Sequence, residues 1–360
     1  MTDPTPLPIR LVVVDDSPAV RDIIRAMVEV DEGILIAGEA GTGKEAVAKT
    51  LALRPDVVLM DVRMPEMSGI EATARIMASC ATPIIGFSSY TGLAEARESI
   101  DILAAGALDV MAKPDLASED AVQACSRELR KKIRTASGVA VVRHIRPSLP
   151  RDAEWVHPDR DDGRRFRAVG VGSSTGGPGA LRELFSNLPA TFGMPLLVVQ
   201  HITAGFSEGF SEWLQQYTPL RVRIARTGDK AVPGTILLAP EGRQLEALPD
   251  GTVSTASREP NSVFLPSADT MLSSLALAYR ADAVGVLLTG MGSDGAEGLL
   301  RIRQAGGLTF AQNEESSVVF GMPAEAIRCG AAAEVLDPAS IAKSLRALPV
   351  GRRRSDGRHA

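Results

Sequence analysis

Residues 169–181 read VGVGSSTGGPGAL. A short apolar run ends in Gly172-Ser173-Ser174-Thr175-Gly176, and a segment with helical spacing follows. This is a G-x-S-x-G at a strand-to-helix turn, where a sharp bend exposes the central serine for nucleophilic attack. Glycines flank it because the backbone bends tightly there and substrate must approach closely. Glycine and serine are also ordinary turn residues. The reading therefore depends on whether the rest of the chain supplies a base and an orienting acid.

Outward from this turn, residues 166–348 alternate apolar runs with amphipathic stretches. RAVGVGS, PLLVVQH, LRVRIA, GTILLAP, AVGVLLTG and LTFAQ predict strands. LPDG at 248–251 predicts a hairpin turn, which makes part of this sheet antiparallel. Residues 9–134 show the same alternation. IRLVVVDD, ILIAGEA, DVVLMD, PIIGFSS and LDVMAKP predict buried strands, with helical spacing in SPAVRDIIRAMV and GKEAVAKTLAL. Such β-α alternation predicts a parallel sheet covered by helices on both faces. Residues 119–134 form a last amphipathic helix, acids first and bases last, as the helix dipole favours. Residues 135–165 carry mixed charges and prolines without paired apolar positions, and read as a linker. Residues 349–360 read as a disordered tail.

The 360 residues suit two domains, each able to bury a core. Hydrophobic content of 45% is that of a globular protein, and a net charge of −5 argues against nucleic acid as partner. Cys80, Cys125 and Cys329 lie far apart with no C-x-x-C, so neither a disulfide framework nor a structural zinc is expected. The N-terminus MTDPTPLPIR lacks a signal-peptide core, and no apolar run approaches the ~20 residues that span a bilayer. A cytoplasmic monomer with no membrane insertion is the expectation.

Asp15 and Asp16 end the first predicted strand, Asp61 the third, Ser88 and Ser89 the fourth, and Lys113-Pro114 follows the fifth. The carboxyl ends of parallel strands share one edge, where ligands bind. Carboxylates gathered there repel one another unless a cation such as Mg²⁺ sits among them. A lysine adds a point charge for phosphate. The chemistry implied is phosphoryl transfer to a carboxylate. Acids and serines also favour strand-end loops for no reason of function, but that explains the whole set poorly. The pattern, with DVRMPEMSGIEA after it, resembles the receiver domain of two-component response regulators, a flavodoxin-like fold. The resemblance covers residues 9–130. It implies Asp61 as phosphoacceptor, Asp15, Asp16, Asp61 and the Arg63 carbonyl as Mg²⁺ ligands, Ser88 as the switch hydroxyl and Lys113 as the phosphate contact. Val110 stands where receivers often carry an aromatic residue.

Gly38-x-x-x-x-Gly43-Lys44 imitates a nucleotide P-loop, but Glu45 stands where Ser or Thr must meet Mg²⁺. A turn opening a helix is the better reading.

For the serine, His201 is the base expected. It ends PLLVVQH, whereas His144 and His157 lie in the linker and His359 in the tail. Asp294 lies in TGMGSDGAEG, a glycine-rich loop after a predicted strand, where N–H groups can face a developing oxyanion. Asp269 and Asp282 are rivals that do not end a strand. Ser174, His201 and Asp294 thus fall on one sheet edge, as a Ser-His-Asp relay requires. Their chain order differs from that of the α/β-hydrolases, so a Rossmann-like, doubly wound fold with convergent chemistry is expected.

VGSSTGGPGAL, VVQHITAGF, LLTGMGSDGAEGL and SVVFGMPAEAI resemble the catalytic domain of the chemotaxis protein-glutamate methylesterases, the CheB family. The resemblance runs over 166–348. It implies Ser174 as nucleophile, His201 as base, Asp294 as its orienter, and Thr175 and Met291 as site-lining residues. It further implies phosphorylation-activated removal of γ-methyl esters from chemoreceptor glutamates, with glutamine deamidation as a related activity and a CheA-type histidine kinase as phosphodonor. Hydrolysis itself requires no cofactor. Two positions depart from the family pattern. Gln244 replaces a usual histidine, and Val263-Phe264-Leu265-Pro266-Ser267 replaces a run with His-Arg-Pro-Ser. These loops are expected to face substrate and alter receptor choice, the alternative being that their residues are buried and only preserve the domain core. Two other classes compete. A non-catalytic signalling adaptor would let the triad decay, and all its members are present. A dinucleotide-binding module would need G-x-G-x-x-G and an acid after the next strand, where His201 stands instead.

Overall fold

The computed structural model describes residues 7–89, 99–103, 105–139, 165–203, 205–255 and 264–351. Most of the expected linker and tail, with His144, His157 and His359, lies outside these residues. The chain divides into two compact units, Met1–Arg143 with Ile202–Leu214, and His144–His201 with Gln215–Ala360.

The first unit contains strands β1 (Ile9–Val14), β2 (Ile34–Ala40), β3 (Val57–Asp61), β4 (Ile84–Ser88) and β5 (Asp109–Ala112). They form a five-stranded sheet of order β2-β1-β3-β4-β5 with every pairing parallel. β3 and β4 are buried at every position, as strands covered on both faces must be. Among the described residues the helices are α1 (Pro18–Val28), α2 (Gly43–Leu53), α3 (Gly69–Ser79) and α4 (Glu119–Ser137). Ser17, Thr42, Ser68 and Ser118 cap them, each side chain accepting a backbone N–H of the first turn. The P-loop imitation resolves here. Thr42 Oγ1 accepts the Glu45 N–H at 3.2 Å, and Glu45 Oε2 accepts the Gly41 N–H at 3.1 Å. Glu45 serves a capping box, not a nucleotide. From β1 the chain moves to the edge strand β2 and returns to β3, so the loops after β1 and β3 flank a topological switch point.

The second sheet contains β6 (Ala168–Ser173), β7 (Leu196–Gln200), β8 (Arg221–Ile224), β9 (Thr235–Leu238), β12 (Ala283–Leu287), β13 (Leu308–Gln312) and β14 (Glu334–Leu336). Its order is β14-β13-β12-β6-β7-β9-β8, and all pairings are parallel. The expected antiparallel part is absent from it. The 248–251 turn does join an antiparallel pair, β10 (Glu246–Ala247) and β11 (Val253–Ser254), but these form a separate two-stranded sheet. The hairpin packs on a helix instead of extending the sheet. The Ala247 N–H donates to Ser274 Oγ at 2.8 Å, and Leu245, Ala247 and Val253 join the core cluster. β14 was not foreseen. It is a three-residue edge strand, too short for a clear periodic signal.

The remaining helices are α5 (Gly177–Ser186), α6 (Ser207–Gln215), α7 (Ala268–Tyr279), α8 (Ala296–Gln304), α9 (Met322–Arg328) and α10 (Pro338–Ala347). Met271, Leu272 and Leu275 of α7 and Leu299 and Ile302 of α8 bury completely against Leu197, Val199 and Leu287 of the sheet. Each such side chain contributes roughly 1.5–3 kcal/mol of transfer free energy. Pro349 and Gly351, expected in a disordered tail, are hydrogen-bonded instead. The Phe166 N–H donates to the Pro349 carbonyl at 2.8 Å, and the Gly351 N–H to the Phe166 carbonyl at 2.9 Å. No helix among the described residues is long and apolar enough to cross a membrane.

In this second sheet the chain runs outward from β6 through β7, then returns to place β12 on the other side of β6. The carboxyl ends of β12, β6 and β7 are therefore adjacent, at a second switch point.

Candidate active site

Ser174 follows β6 directly. Its N–H donates to the Thr289 carbonyl at 3.0 Å, and its carbonyl accepts the Gly177 N–H at 2.8 Å. The next residue, Thr175, has its carbonyl bound by the Thr289 hydroxyl at 3.0 Å. Gly176 caps α5 with φ +77, and a Cβ there would meet the Val318 Cβ at 2.4 Å. Only glycine fits that position. Across the turn, a Cβ on Gly290 would lie 2.7 Å from Ser174 Cβ and 2.3 Å from Met322 Sδ. The loop after β12 is thus pressed against the serine. Met291 in that loop is 40% exposed, and Gly292 after it has φ +87.

His201 follows β7, and its N–H donates to the Ser173 carbonyl at 2.9 Å. This fixes the histidine backbone to the serine turn. Its Nε2 lies 2.8 Å from Asp294 Oδ2 and has no other hydrogen-bond partner among the described residues. Asp294 is 3% exposed. Its Oδ2 also accepts the Ala268 N–H at 2.7 Å, while Oδ1 accepts the Ser267 hydroxyl at 2.8 Å and the Asp269 N–H at 3.1 Å. Burial alone raises a carboxyl pKa, but here the His201 contact and the N–H groups at the start of α7 outweigh it and hold Asp294 below the usual carboxylate range. Asp294 is therefore ionised. The rival acid Asp269 is of another kind. Burial first, then the Asp294 charge, push it up to about 6, and its Oδ1 accepts the Gly298 N–H at 2.7 Å.

The roles of three participating residues escaped sequence reading. Gln200 is buried and ties the site together: Oε1 accepts the Ser173 hydroxyl at 2.7 Å, and Nε2 donates to the Ser174 carbonyl at 2.9 Å and the His201 carbonyl at 2.8 Å. Its one sequence signal is a polar residue inside an apolar strand. Ser267 caps α7 and also grips Asp294. Phe264 stacks on the His201 ring, with centroids 5.2 Å apart and planes at 10°. Gln244, expected to face substrate, is 1% exposed. It is an interior strut. Val263 lies outside the described residues.

In the first unit, Asp15, Asp16 and Asp61 each offer a carboxylate oxygen, and these lie within 4.8 Å of one another. Asp15 and Asp61 are buried and Asp16 is exposed. Lys113 Nζ reaches Asp15 Oδ2 at 2.7 Å and Asp61 Oδ2 at 3.0 Å. Burial pushes the Asp61 carboxyl up despite the lysine. Burial pulls the lysine down, yet its pairing with Asp15 and Asp61 holds it above its ordinary value. The Arg63 N–H lies 3.4 Å from Asp61 Oδ1. Ser88 is buried at the end of β4, accepts the Ser99 hydroxyl at 2.7 Å, and its carbonyl accepts the Lys113 N–H at 2.8 Å. An open pocket beside the acids is lined by Asp16, Arg63, Met64 and Ser68. The hard oxygen donors suit Mg²⁺.

A family model described as CheB methylesterase matches residues 169–345, and one described as response regulator receiver domain matches residues 11–124. A protein-glutamate methylesterase/protein-glutamine glutaminase of Syntrophus aciditrophicus is 40% identical over 344 residues, covering 94% of this chain and 97% of that protein. Another of Anaeromyxobacter dehalogenans is 42% identical over 338 residues, covering 94% and 98%. The crystal structure of the Thermotoga maritima CheB methylesterase catalytic domain is 34% identical, covers 50% of this chain and 97% of that one, and has a TM-score of 0.48.

Proposed function

The chain belongs to the CheB methylesterase family, and from that premise we propose that Ser174, His201 and Asp294 carry its ester hydrolysis. The protein is a carboxylic ester hydrolase, a protein-glutamate methylesterase/protein-glutamine glutaminase joined to a response-regulator receiver. In this reading Ser174 Oγ attacks the ester carbonyl while the imidazole takes its proton. With Nε2 facing Asp294, Nδ1 is the nitrogen that takes it. The ionised Asp294 holds the ring's tautomer and stabilises the imidazolium. The imidazolium then protonates the departing oxygen, methanol leaves, and an acyl ester remains on Ser174. Water enters, gives a proton to His201 and attacks. The Ser174 oxygen leaves, takes that proton back, and the receptor's glutamate side chain is released as the free acid. With a glutamine substrate the leaving molecule is ammonia. Thr175 and Met291 line the approach.

The observation that carries the reading is the 2.8 Å contact between His201 and a buried, ionised Asp294 beside the Ser174 turn. The test is methanol release from a γ-methyl-glutamyl receptor peptide. Ser174→Ala is expected to release none. Release at the wild-type rate would overturn the assignment. The adaptor reading predicts no release from the wild type.

The receiver supplies the control. Asp61 is the phosphoacceptor, Lys113 the contact for the bound phosphoryl group, and Ser88 the hydroxyl that moves to it. Three carboxylates this close leave unbalanced negative charge, which fits Mg²⁺ held by Asp15, Asp16, Asp61 and the Arg63 carbonyl. When bound, Mg²⁺ neutralises charge on the incoming phosphate. The substrates in this reading are methylated glutamates of chemoreceptors, and the phosphodonor is a CheA-type histidine kinase. The protein acts in the cytoplasm as a monomer, with no nucleic-acid partner.

A further inference from the structure

His201 is held from two sides by one turn, residues 264–267. On one side the Phe264 ring is stacked nearly parallel to the imidazole, with centroids 5.2 Å apart and planes at 10°. On the other, Ser267 donates its hydroxyl to Asp294 Oδ1 at 2.8 Å, and Asp294 Oδ2 meets His201 Nε2. The turn is in turn fastened by Gln244. Its Nε2 donates to the Phe264 carbonyl at 3.1 Å, and its Oε1 accepts the Ser267 N–H at 2.7 Å. Gln244 is buried to 1% exposure, so these amide bonds are protected from competing water.

We propose that Phe264 and Gln244 form one positioning unit for the catalytic base, Phe264 setting the plane of the His201 ring and Gln244 holding the turn that carries both Phe264 and Ser267. The proposal rests on the reading of His201 as general base. A neutral imidazole held by Asp294 at one nitrogen can still rotate about that contact. A flat ring stacked on its face removes this freedom, and the ring must be correctly oriented for proton transfer from Ser174. Phe264 is 38% exposed, so truncating it opens no core cavity. Gln244 places both ends of its amide on one turn. A side chain lacking either end leaves a buried backbone group unpaired. The two departures from the family pattern are thus one feature of this chain: the amide at 244 and the aromatic ring at 264 hold the same turn.

The full-length protein with a small-molecule phosphodonor and a γ-methyl-glutamyl peptide provides the test. Phe264→Ala is expected to lower kcat by about tenfold or more with KM nearly unchanged, because orientation and not substrate binding is lost. Phe264→Tyr, which keeps the ring, is expected to restore kcat. A rise in KM with kcat unchanged would instead make Phe264 a substrate contact and overturn the proposal. A second readout does not depend on activity. The ring current of Phe264 shifts the imidazole proton resonances of His201, assigned by comparison with His201→Asn. Phe264→Leu should move them, and Gln244→Ala should move them in the same direction. Unmoved resonances in both variants would refute the stack. Ser174→Ala separates the two levels. If it retains activity, the nucleophile reading fails. If it is inactive while Phe264→Ala keeps full kcat, the positioning unit alone fails.

Discussion

His201 Nε2 and Asp294 Oδ2 lie 2.8 Å apart although 93 residues of chain separate them. β7 delivers one and β12 the other, on either side of β6 and its terminal serine turn. Asp294 reaches the histidine while also bound by the first N–H groups of α7, so its charge is stabilised before any proton moves.

Replacing that acid tests its task. Asp294→Asn supplies an amide that cannot stabilise an imidazolium, and is expected to reduce kcat by as much as about 10⁴-fold. His201→Ala should be comparably inactive, since such residues act as a unit. The measurement is methanol release under saturating peptide. Turnover by His201→Ala at the wild-type rate would exclude histidine as the base.

Gly290→Ala is expected to abolish activity by crowding alone, because the new methyl would sit 2.7 Å from Ser174 Cβ and 2.3 Å from Met322 Sδ. The check is kcat together with circular dichroism. A folded, fully active variant would mean that the two loops are not in contact.

Gln200→Ala removes partners from the Ser173 hydroxyl and the Ser174 and His201 carbonyls. Leaving buried polar groups unpaired costs roughly 1–3 kcal/mol. Urea unfolding should show that loss, and kcat should fall with it.

Asp269 gives stability a pH dependence. Its folded carboxyl is raised to about 6 from 3.8, chiefly by burial. The folded protein therefore holds this proton more tightly than the unfolded chain. Stability from this group is present below the unfolded value and is lost as pH rises through the folded one. Asp269→Asn should shrink the fall in urea midpoint between about pH 4 and pH 7. An unchanged difference would show that Asp269 titrates normally.

Asp61→Asn removes the proposed phosphoacceptor. The full-length variant should stay at basal activity with phosphodonor and Mg²⁺. Chelating the metal should cancel stimulation of the wild type but spare its basal hydrolysis, because the proposed triad routes no step through a metal. Loss of basal turnover on chelation would place a metal in the hydrolytic step.

Local signals decided a great deal. Fully apolar strands, serine and threonine caps and the small residues around Ser174 made the alternating α/β pattern and the serine turn legible, because these depend on residues close in sequence. That His201 and Asp294 come together was legible because strand ends share one edge in a parallel sheet. The hairpin turn was visible in LPDG, but where the hairpin packs was not. That depended on Ser274, a helix residue that takes the Ala247 N–H. Gln200 and Gln244 looked like isolated polar residues, and their meaning arose only when folding brought distant carbonyls and N–H groups to them. Phe264 is the clearest case. Its aromatic ring is evident in the chain, but that it faces the imidazole of a residue just beyond a distant strand is decided by burial and packing, which act between segments far apart in sequence.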